Sequence, residues 1–348
     1  MNSLKLAFLF LAAMAWLAST VPASAQEHRR FLFIGDMPYY NGRVNPITDD
    51  QFVWFEDIVA PKIRKSGFEF LVHYGDFKSR GIPCSENVFR DNYSRITGLL
   101  PGKPVFYTPG DNDWTDCDDP NDENPKREMV KAYSELSRLD LLRQIFFIEK
   151  PLKLSKEWQY ERQPKYPENA LWRAAKVQLA TVHLVGTNNG RIDILMDDEN
   201  KALARVEARD QANRDWLNLV FDRASAPGNR ADAVIITTQA DVTEPEGSGA
   251  CTDTNPKNCD AFVGFISALI SHAADFNKPV LLIHGDKFPY CLDKKFGGKL
   301  ASKLWRLNAG GDFKTVLDAT VVTFDAKNDG TPFSVNGLVV NLPLTESC

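Results

Sequence analysis

The chain has 348 residues with 41 Lys and Arg against 46 Asp and Glu, a formal charge of −5. That mild acidity argues against nucleic acid as the main partner. The length suits one large α/β domain or two small ones. The first seventeen residues carry Lys5 and an apolar run, and Ala23-Ser24-Ala25 precede polar Gln26-Glu27. This reads as a secretory signal peptide cut after Ala25, too short for a membrane span. No later stretch approaches spanning length, so residues 26–348 are expected to form a single exported domain, periplasmic or secreted. All six cysteines lie in that part, and an even count in an exported chain implies disulfides with about 15 possible connectivities. The expected pairs are Cys84–Cys117, Cys251–Cys259 and Cys291–Cys348. No Cys/His spacing suggests zinc.

In chain order, residues 31–34 form an apolar strand that ends in Gly35-Asp36. Asp49-Asp50 is read as the cap of a helix to about residue 66, with Phe52, Phe55, Ile58 and Val59 on one face. Strand 69–75 ends in Gly75-Asp76, with Lys78 and Arg80 just beyond, and a helix follows over 85–97. Strand 104–107 leads into Thr108-Pro109-Gly110-Asp111-Asn112-Asp113. An EF-hand is rejected there, because Asp116 stands where the loop needs Gly and no helix enters.

Residues 126–149 read as helical, and 150–173, rich in Lys, Pro, Trp and Tyr, as a surface insertion. Strand 177–185 ends in the polar run Gly186–Gly190, and helix 203–224 follows. Strand 233–238 ends in Gln239, and a loop holding Cys251 and Cys259 leads to helix 261–274. Strand 279–283 ends in His284-Gly285-Asp286. Two late strands, 320–324 and 334–340, flank the turn Asn328-Asp329-Gly330. This alternation argues for a layered α/β fold. Apolar strands that repeatedly end in Gly-Asp bring carboxylates to one crevice, where they repel unless a cation or a ligand's donors compensate.

The order of these strand ends resembles the calcineurin-like metallophosphoesterases, the superfamily of purple acid phosphatases and acid sphingomyelinases, over about residues 31 to 340. The blocks stand here as Asp36-Met37-Pro38, Gly75-Asp76-Phe77-Lys78-Ser79, Gly110-Asp111-Asn112-Asp113, Gln239 and Gly285-Asp286-Lys287-Phe288. The departures are Pro38, Gln239, Asp286 and Phe288 where the family has His, Asp111 for its Asn ligand, and Asn112 for its proton-donating His. The resemblance implies a four-layer sandwich of two mixed β-sheets flanked by helices, with the late hairpin in the second sheet. It also implies a metal-dependent phosphoesterase acting on a small phosphorylated or anionic substrate.

Three readings of the residues stay open. In the first, Asp36, Asp76, Asp111, Gln239, Asp286 and His284 hold one or two hard cations, with calcium, magnesium or manganese favoured over zinc or iron. Asn112 and Asp113 are then the catalytic candidates, and Lys78 and Arg80 the substrate-binding ones. In the second, Lys78 replaces a metal and the crevice only binds a ligand. In the third, the aspartates merely cap turns. His73, three residues before Asp76 on a strand, is expected to face the core, and His284 has a core reading as well.

Overall fold

The computed structural model describes residues 28–37, 52–118, 132–174, 176–286, 290–309, 317–341, 344–346 and 348. The expected signal peptide, the expected Asp49-Asp50 cap, Pro38, Lys287 and Phe288 lie outside the described residues.

Two mixed sheets make the centre. The first has the order β12-β11-β1-β2-β3 and the second β4-β5-β6-β7-β8-β10-β9. In the first, β1 (His28–Ile34), β2 (Leu71–His73) and β3 (Val105–Tyr107) run parallel. The hairpin of β11 (Thr320–Asp325) and β12 (Phe333–Gly337) pairs antiparallel with β1. The late hairpin thus extends the sheet of the first three strands, not the other one.

In the second sheet β6 (Val177–Thr181), β7 (Ala233–Thr237), β8 (Val280–His284) and β10 (Leu304–Asn308) run parallel. Antiparallel β4 (Glu161–Gln163), β5 (Tyr166–Ala174) and β9 (Cys291–Asp293) finish its edges.

Period-two alternation explains the layering. Phe31, Phe33, Val72 and Phe106 point between the sheets and meet Trp172, Leu179, Ile235 and Ile283. Leu32, Ile34, Leu71 and Val105 point outward and are covered by helices. These are α1 (Ala60–Arg64), which continues a π turn at Phe55–Val59, and α2 (Glu86–Thr97), capped by the Ser85 hydroxyl. The helix α3 (Glu135–Arg143) leads into a further π turn, Gln144–Ile148. Val234, Ile236, Val280 and Leu282 face α4 (Glu199–Ser225) and α5 (Val263–Phe276) on the other side.

Two further expectations need correction. From Glu161 onward the expected insertion forms β4 and most of β5 of the second sheet, while 150–160 runs over the surface; Trp172 is fully buried and stacks on Phe106 at 3.6 Å between ring centroids. Trp172 is therefore core, while Trp158 and Tyr160 are only partly buried against it. Ile58 is 42 % exposed while Phe55 and Val59 are buried, because the wider π turn rotates it off the packed face. All three disulfides form as expected, Cys84–Cys117, Cys251–Cys259 and Cys291–Cys348.

Candidate metal centre

The carboxyl ends of strands from both sheets converge on one crevice. Asp36 follows β1, Asp76 follows β2 and Asp286 follows β8, and each takes a left-handed backbone with φ of 50°, 56° and 71°. Asp tolerates that conformation better than most residues, and it lets the chain reverse at once while the carboxylate points back over the strand ends. Close approach explains the neighbouring glycine of the third loop: a β-carbon on Gly110 would fall 2.0 Å from Asp76 Oδ1.

One carboxylate oxygen each of Asp36, Asp76 and Asp286 lies within 4.8 Å of the others. The Asp286 N–H donates to Asp36 Oδ2 at 3.2 Å. Burial, followed by the charges of Asp111 and Asp36, pushes the Asp76 carboxyl well above the usual carboxylate range. Three carboxylates that repel one another, with Asp36 and Asp76 buried and Asp286 partly exposed, fit a hard divalent cation, which removes the repulsion by supplying positive charge.

Asp111 and Gln239 sit beside this group in a different role. Gln239 Nε2 donates to Asp76 Oδ2 at 3.1 Å and to Asp111 Oδ1 at 3.0 Å. Its Oε1 accepts from the Gly186 N–H at 2.9 Å, and since an N–H needs an acceptor, the amide is fixed this way round. Gln239 therefore offers the carboxylates its nitrogen, not the ligating oxygen expected from its position. Asn112 does likewise: its N–H reaches Asp76 Oδ1 and Asp111 Oδ1, and its Nδ2 reaches Asp76 Oδ2. Two amides thus bridge Asp76 and Asp111. Burial raises the Asp111 carboxyl, although the hydrogen bonds oppose the rise.

Asp113, expected among the reacting groups, is spent on the loop. Its carboxylate accepts from the N–H groups of Asp76, Phe77 and Gly110 and from the Tyr107 hydroxyl. It is fully buried and ties the second Gly-Asp loop to the third. Lys78 is also buried, and its Nζ donates to Ser79 O at 3.4 Å. Burial lowers its pKa, while Asp113, Asp116, Asp76 and Asp111 oppose that shift. Arg80 is half-exposed, 4.0 Å from Asp116. Burial and the Asp111 charge push Asp116 up to about 7. In sequence Asp116 opens an acidic run, and nothing there marks it out as a member of this cluster.

Histidines contribute little here. His284 Nδ1 donates to its neighbour's carbonyl, Gly285 O, and Nε2 lies 3.9 Å from Asp241, itself paired with Arg306. His284 is therefore apart from the three-carboxylate group. His73 is core as expected: Nδ1 accepts from the Gly75 N–H, Nε2 reaches Met37 O, and burial lowers it to about 4. His183, which carried no sequence signal, binds Glu168 at 2.8 Å in a buried network with Arg143, outside the crevice.

Two packed mixed sheets with an acidic crevice at their carboxyl ends define a metallophosphoesterase class of fold. Residues 29–235 match the family model of the calcineurin-like phosphoesterases. The chain belongs to the calcineurin-like phosphoesterase family. A comparison with curated protein sequences finds no match. Among solved structures, one described as the structure of PhoD is similar, with a TM-score of 0.50 over 90% of this chain and 70% of that chain at 11% identity. That likeness is one of fold.

Proposed function

We propose that the protein is an exported, metal-dependent phosphoesterase whose centre holds one hard divalent cation between Asp36, Asp76 and Asp286. The observation that carries this reading is the mutual approach of those three carboxylates, two of them buried, in a chain whose family is phosphoesterase. Calcium, magnesium and manganese suit an all-oxygen donor set better than zinc or iron. A cation held there would neutralise charge on a phosphoryl group and lower the pKa of a water.

The chain's own residues would do the rest. Asn112 and Gln239 orient Asp76 through their amide N–H bonds, the supporting role that polar neighbours play around ligands. The bridge they make between Asp76 and Asp111 fills the place a second ion would need, which favours one ion over two. Asn112 can donate a hydrogen bond to a phosphoryl oxygen but cannot act as a general acid. Arg80, half-exposed beside Asp116, has the planar fork that pairs with phosphate oxygens. Three disulfides support an oxidising compartment. We take residues 26–348 as one exported domain.

A second reading has one observation behind it. Lys78 is a buried cation among carboxylates, and with the amide donors it could balance the crevice without metal, leaving a ligand-binding protein. Metal-stripped mature protein, assayed on phosphomonoester and phosphodiester substrates with calcium, magnesium, manganese or zinc restored singly, separates the two. Hydrolysis dependent on one cation supports the enzyme. Silence with every cation from folded, oxidised protein favours the binding protein.

A further inference from the structure

Beyond the crevice, the chain holds a conformation that L-residues avoid. Thr187, Asn188, Asn189 and Gly190 are consecutively left-handed, with φ of 52°, 50°, 58° and 75°. Single residues visit that region, but a run costs about 1–2 kcal/mol for each non-glycine residue, and it persists only where the surroundings over-determine it.

The surroundings do so here. Asn189 Oδ1 accepts from the Val185 N–H and from Arg209 Nη2, and its Nδ2 donates to Asp210 at 2.6 Å. Asn188 reaches the opposite way: Nδ2 donates to Lys257 O at 2.7 Å and Cys259 O at 3.0 Å, and Oδ1 accepts from the Ala261 N–H. Both carbonyls belong to the loop closed by the Cys251–Cys259 disulfide.

At its crevice end the turn brings Gly186 so close to the acidic group that a β-carbon there would lie 2.1 Å from Asp111 Oδ2. The same residue's N–H fixes the Gln239 amide. Thr187 Oγ1 lies 3.0 Å from Thr115 Oγ1, whose hydroxyl donates to Asp111 O. We infer that Asn188 is a positioning residue: anchored on the disulfide-closed loop, it holds the strained turn so that Gly186 keeps the Gln239 amide aimed at Asp76 and Asp111. The consequence for cation binding rests on the function proposed above; the structural link does not.

The test is amide hydrogen exchange together with manganese titration. Asn188→Gly keeps the freedom to be left-handed while removing the side-chain hydrogen bonds to Lys257, Cys259 and Ala261. The Gly186 amide should exchange roughly tenfold faster, with the strand amides of Ala180 and Ile236 unchanged, and manganese should bind roughly tenfold more weakly. Cys251→Ser with Cys259→Ser should produce the same local change, and combining both variants should add little, as expected for groups acting in series. Unchanged protection at Gly186 in Asn188→Gly, or effects that add in full, overturns the inference. If Asn188→Gly does not fold, the cysteine pair variant decides on the same amide. If the unaltered protein binds none of manganese, magnesium and calcium, the proposed function fails while the exchange comparison still judges this link.

Discussion

Two buried charge clusters in this protein share an environment and behave in opposite ways. Glu168 is fully buried, and burial alone would raise its carboxyl. The hydrogen bond from His183 and the bidentate Arg143 guanidinium instead hold it below the usual range. Asp76 is just as buried, but its neighbours are Asp111, Asp36, Asp113 and Asp286, and its carboxyl is driven up. Desolvation is common to both, so the neighbours decide the sign. The Glu168 cluster carries its own compensation and reads as structure. The crevice draws part of its compensation from amides, and the acidic surplus suits a cation from outside.

The largest effect expected from that difference is in the crevice. Asp76→Asn should drop hydrolysis to background and remove cation binding, as read by a steady-state assay and by titration, while the fold survives because an amide relieves the repulsion. Activity retained in this variant would sink the metal reading.

Next in size is Glu168→Gln, which leaves the partly buried Arg143 with a neutral partner in place of the buried carboxylate. A loss of roughly 3–5 kcal/mol is typical of breaking a buried pair, and chemical denaturation should find a loss of that order with cation affinity unchanged. A selective loss of cation affinity would blur the contrast between the clusters. Gln239→Ala should be smaller again. Without the amide that joins Asp76 to Asp111, cation affinity should fall roughly 10–100-fold, with little change in melting temperature.

The smallest effect concerns a third buried carboxyl. Glu135 has no hydrogen-bond partner on either oxygen among the described residues, and burial, then Asp118 and Asp197, raise it to about 8. The folded state therefore keeps a proton that the unfolded chain releases above about pH 4.5. Stability should fall as pH rises from there to about 8 and then level off. Glu135→Gln should flatten that stretch and stabilise the protein by about 1–3 kcal/mol at the alkaline end. A melting-temperature series from pH 5 to 9 on both proteins checks the slope, and parallel curves would contradict it.

Much of this was legible in the sequence because it depends on local chemistry. Gly35-Asp36, Gly75-Asp76 and Gly285-Asp286 after apolar strands announce carboxylates at strand ends, and convergence follows from the topology of an α/β sheet. The three expected disulfide pairs, chosen among about 15 connectivities, all form. What was not legible depends on distant partners. The direction of the Gln239 amide is set by Gly186, which approaches it from another strand end. Asp113 resembled its neighbours in sequence, and only the packing of two loops turns its carboxylate inward. The strand Tyr166–Ala174 hid behind a composition of Pro, Trp and Arg, and its burial comes from Phe106 on the other sheet. Glu168 and His183 are fifteen residues apart and meet through the pairing of β5 with β6.

Calorimetric titration of metal-stripped mature protein with manganese tests the crevice most directly, because it needs no knowledge of the substrate. Saturation at one ion per chain, abolished by Asp76→Asn and unaffected by Glu168→Gln, is the result expected if the three carboxylates hold a single cation. No saturable binding, or binding that persists in Asp76→Asn, would contradict it and leave Lys78 as the cation that balances the crevice.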